Sequence, residues 1–295
     1  MLALLLAPSL SAAAVQTSEP FMGVRLERIV RSTPRPEIIH LAIIDPRAPG
    51  IRFLVTPSNG DPNGTLPGDP NLETTRETTL QFITRHHAQL GINGSFFTFV
   101  KNTLDTNNVS LVISDGHIVS PLDPHRAWVL NITPDNHVQI RKVTASEVGK
   151  PGARLHDAIA GSDPLVEQGK VVAPTGSKFD DSHPPRTAVA VTHQGRLLLM
   201  TVDGRQPGFS EGMSLQEVAR FLVAHGAVDA LNLDGGGSTT MAIADPRPRI
   251  INFPSDHKPD GEAGQARAVG VSLGVFAKPN PDYKPLPPIR TTASH

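Results

Sequence analysis

The sequence predicts an α+β fold: mixed β-sheets with a few packed helices, gathered in a single large domain. Three observations predict it. Strand-like and helix-like runs follow one another without the regular alternation that builds a doubly wound sheet. Two stretches carry a convincing helical period. The 28 prolines and 25 glycines among 295 residues call for many turns and irregular connections, in a chain long enough to bury a substantial core.

The elements follow in order. Ile38 to Ile44 and Ile51 to Thr56 read as strands joined by the Pro46–Gly50 turn. Ser58 to Thr75, rich in Asn, Gly, Asp, Pro and Thr, reads as a long exposed loop. Thr79 to Leu90 reads as a helix with Leu80, Ile83, His87 and Leu90 near one face, stopped by Gly91, and a strand then runs into Asn93-Gly-Ser-Phe-Phe97. Short strands between Val109 and Lys142 turn at Asp115-Gly116 and Asp135-Asn136. Ala158 to Val172 is interrupted at Gly161 and Gly169, and Gly176 to Pro185 is a polar loop. Thr187 to Thr192 and Leu197 to Val202 form a hairpin around His193-Gln-Gly195. Ser214-Leu-Gln-Glu217 is a capping box opening a helix with an apolar face of Leu215, Val218, Ala219, Phe221 and Leu222, ended by Gly226. Ala230 to Leu233 is a buried strand that delivers Asp234-Gly-Gly-Gly-Ser238, and Ala268 to Phe276 is the closing strand.

Composition removes several classes of function. With 27 basic against 28 acidic residues there is no basic excess for nucleic acid. The absence of cysteine excludes disulfides, thiol nucleophiles and thiolate metal sites. Aromatic residues are only 4% of the chain, which argues against a wide sugar-stacking platform. Residues 1–14, an apolar run closing in Ser11-Ala-Ala-Ala14, resemble a signal peptide. They are too short to cross a bilayer, so the expectation is an exported protein, periplasmic or extracellular, with no stable membrane insertion. Residues 278–295 read as an extended proline-rich tail.

Three patches carry chemistry. In Asn232-Leu-Asp-Gly-Gly-Gly-Ser-Thr239, a buried strand ends in an acid. Gly235, Gly236 and Gly237 then let backbone amides approach a ligand, and Ser238 and Thr239 add hydroxyls. A glycine-rich turn capped by Asp234 explains the same residues, and the lysine of a Walker motif is missing. Arg186, entering a strand beside Thr187, can offer phosphate a bidentate guanidinium; a surface arginine is the plainer reading. Asp203-Gly-Arg205 repeats the pattern of an acid and an arginine at a strand end. Together, two acids and two arginines beside a glycine cradle suit a phosphorylated sugar.

Asn93-Gly-Ser-Phe-Phe97, Pro185-Arg-Thr-Ala188, Asp203-Gly-Arg205 and Asn232 to Thr239 resemble, in order and spacing, the successive signatures of the phosphodiester glycosidase family. The resemblance runs from about Thr75 to Phe276, within a domain over residues 15–277. It implies a hydrolase that cleaves a sugar-phosphodiester in a glycan or cell-envelope substrate. Asp234 and Asp203 would divide the acid and base duties. Arg186 and Arg205 would hold phosphate with the amides of Gly235, Gly236 and Gly237. Asn93, Gly94, Thr187, Asn232, Ser238 and Thr239 would complete the substrate site. Phe96 and Phe97 are expected in the core. Two departures stand out. Ser95 occupies the place of a second glycine, and Gly161-Ser-Asp-Pro164 stands where paired glycines are common, with Asp163 capping a turn or lining the site. No cofactor is required by this reading, although Asp234 leaves room for calcium or another divalent cation. Two other functions compete with it: a metal-dependent phosphodiesterase, and a non-catalytic exopolysaccharide or envelope glycan-binding protein. A serine hydrolase would need a Gly-x-Ser-x-Gly elbow, which is missing.

Overall fold

A computed structural model describes residues 13–60, 72–258 and 261–283. The signal-like segment up to residue 12, much of the long loop and the tail from residue 284 lie outside the described residues. Among the described residues strands dominate and every strand ladder is antiparallel; the α+β expectation is met coarsely, with the balance well toward β and antiparallel sheets in place of mixed ones.

The central sheet has eight strands, numbered here along the chain: β1 (Ala14–Phe21), β2 (Val24–Arg31), β3 (Glu37–Ile44), β4 (Pro164–Glu167), β5 (Lys170–Val171), β6 (Arg186–Thr192), β7 (Leu197–Val202) and β8 (Ala227–Asn232). Their order across the sheet is β1-β2-β3-β7-β6-β8-β4-β5. Both faces of its middle are covered. Val189, Val191, Leu197 and Leu199 join one core cluster, whereas Ala188, Ala190, Leu198 and Met200 join another. That is why β6 and β7 read as unbroken apolar runs rather than alternating ones. On the second face lies a helix, Leu215–Ala224, which buries Leu215, Val218, Ala219, Phe221 and Leu222 and starts with the expected Ser214–Glu217 capping box. Two five-stranded sheets share the first core cluster. One contains Leu90–Asn93 between Met241–Ala244 and Ser272–Phe276; the other centres on Asp157–Ala160.

Several expectations are corrected. The helix expected over Thr79–Leu90 spans only Thr79–His86, because His87 turns left-handed (φ 57°) and the chain becomes a strand at Leu90. Its buried residues are Thr79, Phe82 and Ile83. Gly91 lies inside the following strand, where a Cβ would run into the Ile83 side chain; it serves helix-on-strand contact and not helix termination. The hairpin of β1 and β2 was not expected, since Val24-Arg-Leu-Glu-Arg-Ile-Val-Arg31 carries four charges along its eight residues. The polar stretch before Arg186 contains a single helical turn, Lys178–Asp181. Among the described residues no helix is long and apolar enough to cross a membrane.

Candidate active site

Antiparallel pairing brings the start of β6 beside the ends of β7 and β8. Arg186 pairs with Val202 and Ala188 with Asn232, and the Leu233 amide donates to the Thr187 carbonyl at 2.9 Å. Arg186 opens β6, Asp203 follows β7 and Asp234 follows β8, so three patches distant in sequence meet at one end of a rigid sheet. A cavity of about 480 Å³ opens there, within the range of small-molecule sites. Arg186, Arg205, Asp234 and the three glycines 235–237 line it, together with Phe96, Lys178, Phe179 and Arg267.

Asp234 is held through its own peptide groups. Its amide donates to the Gly94 carbonyl at 3.1 Å, and its carbonyl accepts from Asn93 Nδ2 at 2.6 Å. Asn93 is fully buried and its Oδ1 accepts from Thr187 Oγ1 (2.9 Å) and the Thr240 amide (3.1 Å). Asn93, Gly94 and Thr187 therefore position the acid from behind the cavity wall. Burial pushes the half-buried Asp234 carboxyl up to about 6, against the Ser238 hydroxyl, the Arg267 guanidinium and the Gly235 amide, which lower it. A carboxyl poised near neutrality suits proton transfer at physiological pH.

The glycine run is less open than its sequence suggests. It forms a short 3₁₀ turn, Gly236–Ser238, in which the Gly236 amide donates to Pro185, Ser238 to Gly235 and Thr239 to Gly236. A nest of consecutive free amides is thus replaced by a tightly seated turn. A Cβ on Gly235 would lie 2.8 Å from the Pro185 carbonyl oxygen, and one on Gly237 would strike the Asp256 carboxylate. Ser238, Thr239 and Asn232 are buried behind the turn; Asn232 Nδ2 donates to Ser162 Oγ at 2.8 Å.

The two expected arginines separate in role. Arg186 is 2% exposed. Its Nε donates to the Met213 carbonyl (2.9 Å) and its Nη2 to the carbonyls of Phe179 (2.6 Å) and Ser182 (3.0 Å). It ties the Lys178–Asp181 turn to the sheet. Burial lowers its guanidinium to about 10, with Asp180 raising it and Arg205 lowering it, so it remains charged at neutral pH. Arg205 is exposed, its backbone is left-handed at φ 60°, and its guanidinium sits over Gly236. Among the described residues it has no ion-pair partner, and it lines the cavity. Replacing Arg186 with Ala removes three charge-assisted bonds from a buried site, and denaturant titration should show a loss of about 3 kcal/mol. Lys, which lacks the fork, should recover only part of it.

Asp203 departs most from expectation. Its side chain is fully buried and does not line the cavity. Oδ1 accepts from Asn252 Nδ2 (3.0 Å) and the Phe253 amide (2.9 Å), and Oδ2 has no partner. Asn252 in turn donates to the Thr239 carbonyl and accepts from the Met241 amide. Asp203 thus braces the segment that follows the glycine turn, away from the cavity where the sequence put it. Burial pushes its carboxyl up to about 7, with the Phe253 and Asn252 bonds lowering it.

Arg267 completes the wall and was not expected. It pairs with Asp256 through two bonds, Nε to Oδ2 (2.8 Å) and Nη2 to Oδ1 (2.9 Å), and reaches Ser238 Oγ at 3.4 Å. Phe96, expected in the core, is half-buried and lines the cavity, as does the exposed Phe179. Among the described residues no three His, Asp or Glu side chains come together as a metal-binding group.

The family profile of the phosphodiester glycosidases matches residues 86–276, well over half the chain. The chain belongs to that family, a family of hydrolases. The mouse N-acetylglucosamine-1-phosphodiester alpha-N-acetylglucosaminidase is 30% identical over 182 residues, 57% of this chain and 34% of that protein. Its bovine counterpart is 40% identical over 88 residues, 29% of this chain and 16% of that protein. The chain therefore spans about a third or less of these relatives. Among solved structures, the zebrafish catalytic domain of the same name superimposes with a TM-score of 0.68 at 21% identity, covering 90% of this chain and 88% of that one. A hypothetical protein from Synechocystis gives 0.63 at 18% identity, covering 91% and 64%. At such identities the two structures speak to the fold alone.

Proposed function

We propose that the chain hydrolyses a sugar phosphodiester at the bond between the anomeric carbon and the phosphate oxygen. The observation that carries this is one carboxyl, Asp234, poised near neutrality on the wall of a cavity that also presents cations. Arg205 and Lys178, exposed on that wall, hold the phosphate, with the buried Arg186 adding positive potential behind them. The Asp234 carboxylate takes a proton from water as the water oxygen bonds to the anomeric carbon. The bond from that carbon to the phosphate oxygen breaks, and the phosphate monoester leaves with the bonding pair. A phosphate leaving group needs little protonation, so one cavity carboxyl suffices. Family membership supports the reaction class, and the exposed ring of Phe179 offers the sugar an apolar face. The same reading makes this an exported enzyme working on an envelope or extracellular glycan.

The test is incubation with UDP-N-acetylglucosamine and a panel of sugar-1-phosphodiesters, with and without EDTA. Free sugar, undiminished by EDTA, is the expected product. Release of sugar-1-phosphate would move the cut to the other side of phosphorus and favour a metal-dependent phosphodiesterase. Saturable binding with no product would favour the glycan-binding alternative.

A further inference from the structure

A second cavity adjoins the first. Phe96, His125, Arg126, Ser162, Asp163 and Phe179 enclose about 370 Å³. Phe96 and Phe179 also line the Asp234 cavity, so two aromatic rings form a shared partition. Each ring carries a guanidinium: Arg186 Cζ lies 4.9 Å from the Phe179 centroid, and Arg126 Cζ lies 5.8 Å from that of Phe96.

Arg126 stands on a fixed backbone. It closes a 3₁₀ turn, Pro124–Arg126, in which the Asp123 carboxylate accepts from the His125 amide at 2.9 Å. The Arg126 carbonyl accepts from Ser110 Oγ at 2.8 Å. Its side chain is half-buried, and among the described residues no carboxylate pairs with it, although Asp163 lines the same cavity. The chemistry at Asp234 makes no use of this guanidinium. A cation held over a ring, partly withdrawn from water and without a counter-ion, fits an anionic ligand group.

A phosphodiester bound at Asp234 has two arms. If one sugar occupies the first cavity, the alcohol arm leaves past the partition. We propose that the second cavity receives that alcohol arm and that Arg126 selects arms bearing a second negative charge, a further phosphate or a carboxylate. Ser162 and Asp163 then meet the arm's hydroxyl groups. The substrate class is thereby narrowed to a glycan in which acidic groups recur, in place of an isolated diester on a neutral alcohol. This inference rests on the phosphodiester reading above for the placement of the diester, but not on turnover.

Binding is therefore measured calorimetrically on the full chain carrying Asp234→Asn, with two synthetic ligands. Both contain N-acetylglucosamine 1-phosphate; one is esterified to glycerol and the other to glycerol phosphate. The dianionic arm should bind about tenfold more tightly, the scale of one charge-assisted hydrogen bond. Adding Arg126→Gln should bring the ratio of the two dissociation constants close to one, while Arg126→Lys should keep part of the preference. Equal affinities with Arg126 present, or a preference that survives Arg126→Gln, would overturn the assignment, as would failure of both ligands to bind. Hydrolysis of the glycerol diester by the unaltered chain reads the catalytic proposal separately. Turnover with equal affinities sinks only the second cavity, and a charge preference without turnover sinks only the catalysis.

Discussion

Asp234→Asn should lower kcat/KM for sugar-phosphodiester hydrolysis by about 10³-fold, within the range for loss of a positioned acid or base, while the protein melts no earlier than the unaltered chain. Asparagine keeps the size of the side chain. The peptide clamps from Gly94 and Asn93 act on the Asp234 backbone and are indifferent to the change, so the geometry of the wall survives. What is lost is the proton acceptor. The pH dependence follows from the same group. Its carboxyl titrates at about 6 and works as the carboxylate, so kcat/KM of the unaltered enzyme should fall as pH drops through 6. Stability moves the other way. A carboxyl whose folded pKa is raised costs stability as pH climbs from its unfolded value to its folded one, and the full cost stands above the folded value; the neutral amide is free of that cost. At pH 8 the variant should therefore be at least as stable as the parent. Retained activity, or an acid limb unmoved from the parent's in the residual rate, would remove Asp234 from its role.

What the sequence discloses about this site depends on how locally each part is encoded. Asp234 and the glycines stand in one contiguous motif at the end of an apolar strand, and strand ends are where rigid scaffolds present their side chains. The capping box at Ser214 and the β6–β7 hairpin are likewise local, and the structure places both where the pattern does. Arg267, Asp256 and Asn252 have no such signal. They lie 18 to 33 residues beyond Asp234 in a stretch of two- and three-residue strands; Asp256 and Arg267 reach the site as a pair beside Gly237, and Asn252 through Asp203, Thr239 and Met241. Arg186 shows the reverse failure. Its position was legible, but whether its guanidinium faces ligand or protein depends on the carbonyls of Met213, Phe179 and Ser182, none of which a linear motif displays. The β1–β2 hairpin escaped because Arg28 and Glu27 are buried there, charges that single-sequence reasoning assigns to solvent.

Asp203→Asn should reveal a carboxyl that opposes folding at neutral pH. In the unfolded chain an aspartate titrates near 3.9; folded, Asp203 does so at about 7, because burial outweighs the bonds from Asn252 and Phe253. Below about pH 4 both states are protonated and the side chain does not oppose the fold. As pH rises from there to 7, the unfolded chain has released its proton and the folded one has not, so stability falls. Above 7 the full penalty stands, about 4 kcal/mol for a shift of this size. Asparagine still accepts at Oδ1 from Asn252 and Phe253. Its Nδ2 falls where Oδ2 already lacks a partner, so the exchange against protonated aspartic acid is close to neutral at low pH. Urea titrations at pH 4 and pH 8 should therefore give nearly equal stabilities at the first and a more stable variant at the second. Asp234 titrates in both proteins, so the difference between them isolates position 203. Parallel stability curves would show that the Asp203 carboxyl is not held neutral. Activity separates the two roles the carboxyl can have. A brace between β7 and Asn252 tolerates the amide, and turnover at pH 7 should stay within a fewfold of the parent. Loss of turnover together with a gain in stability would place Asp203 in the proton transfer itself, the stability–activity conflict expected of a charged group buried for chemistry and not for the fold.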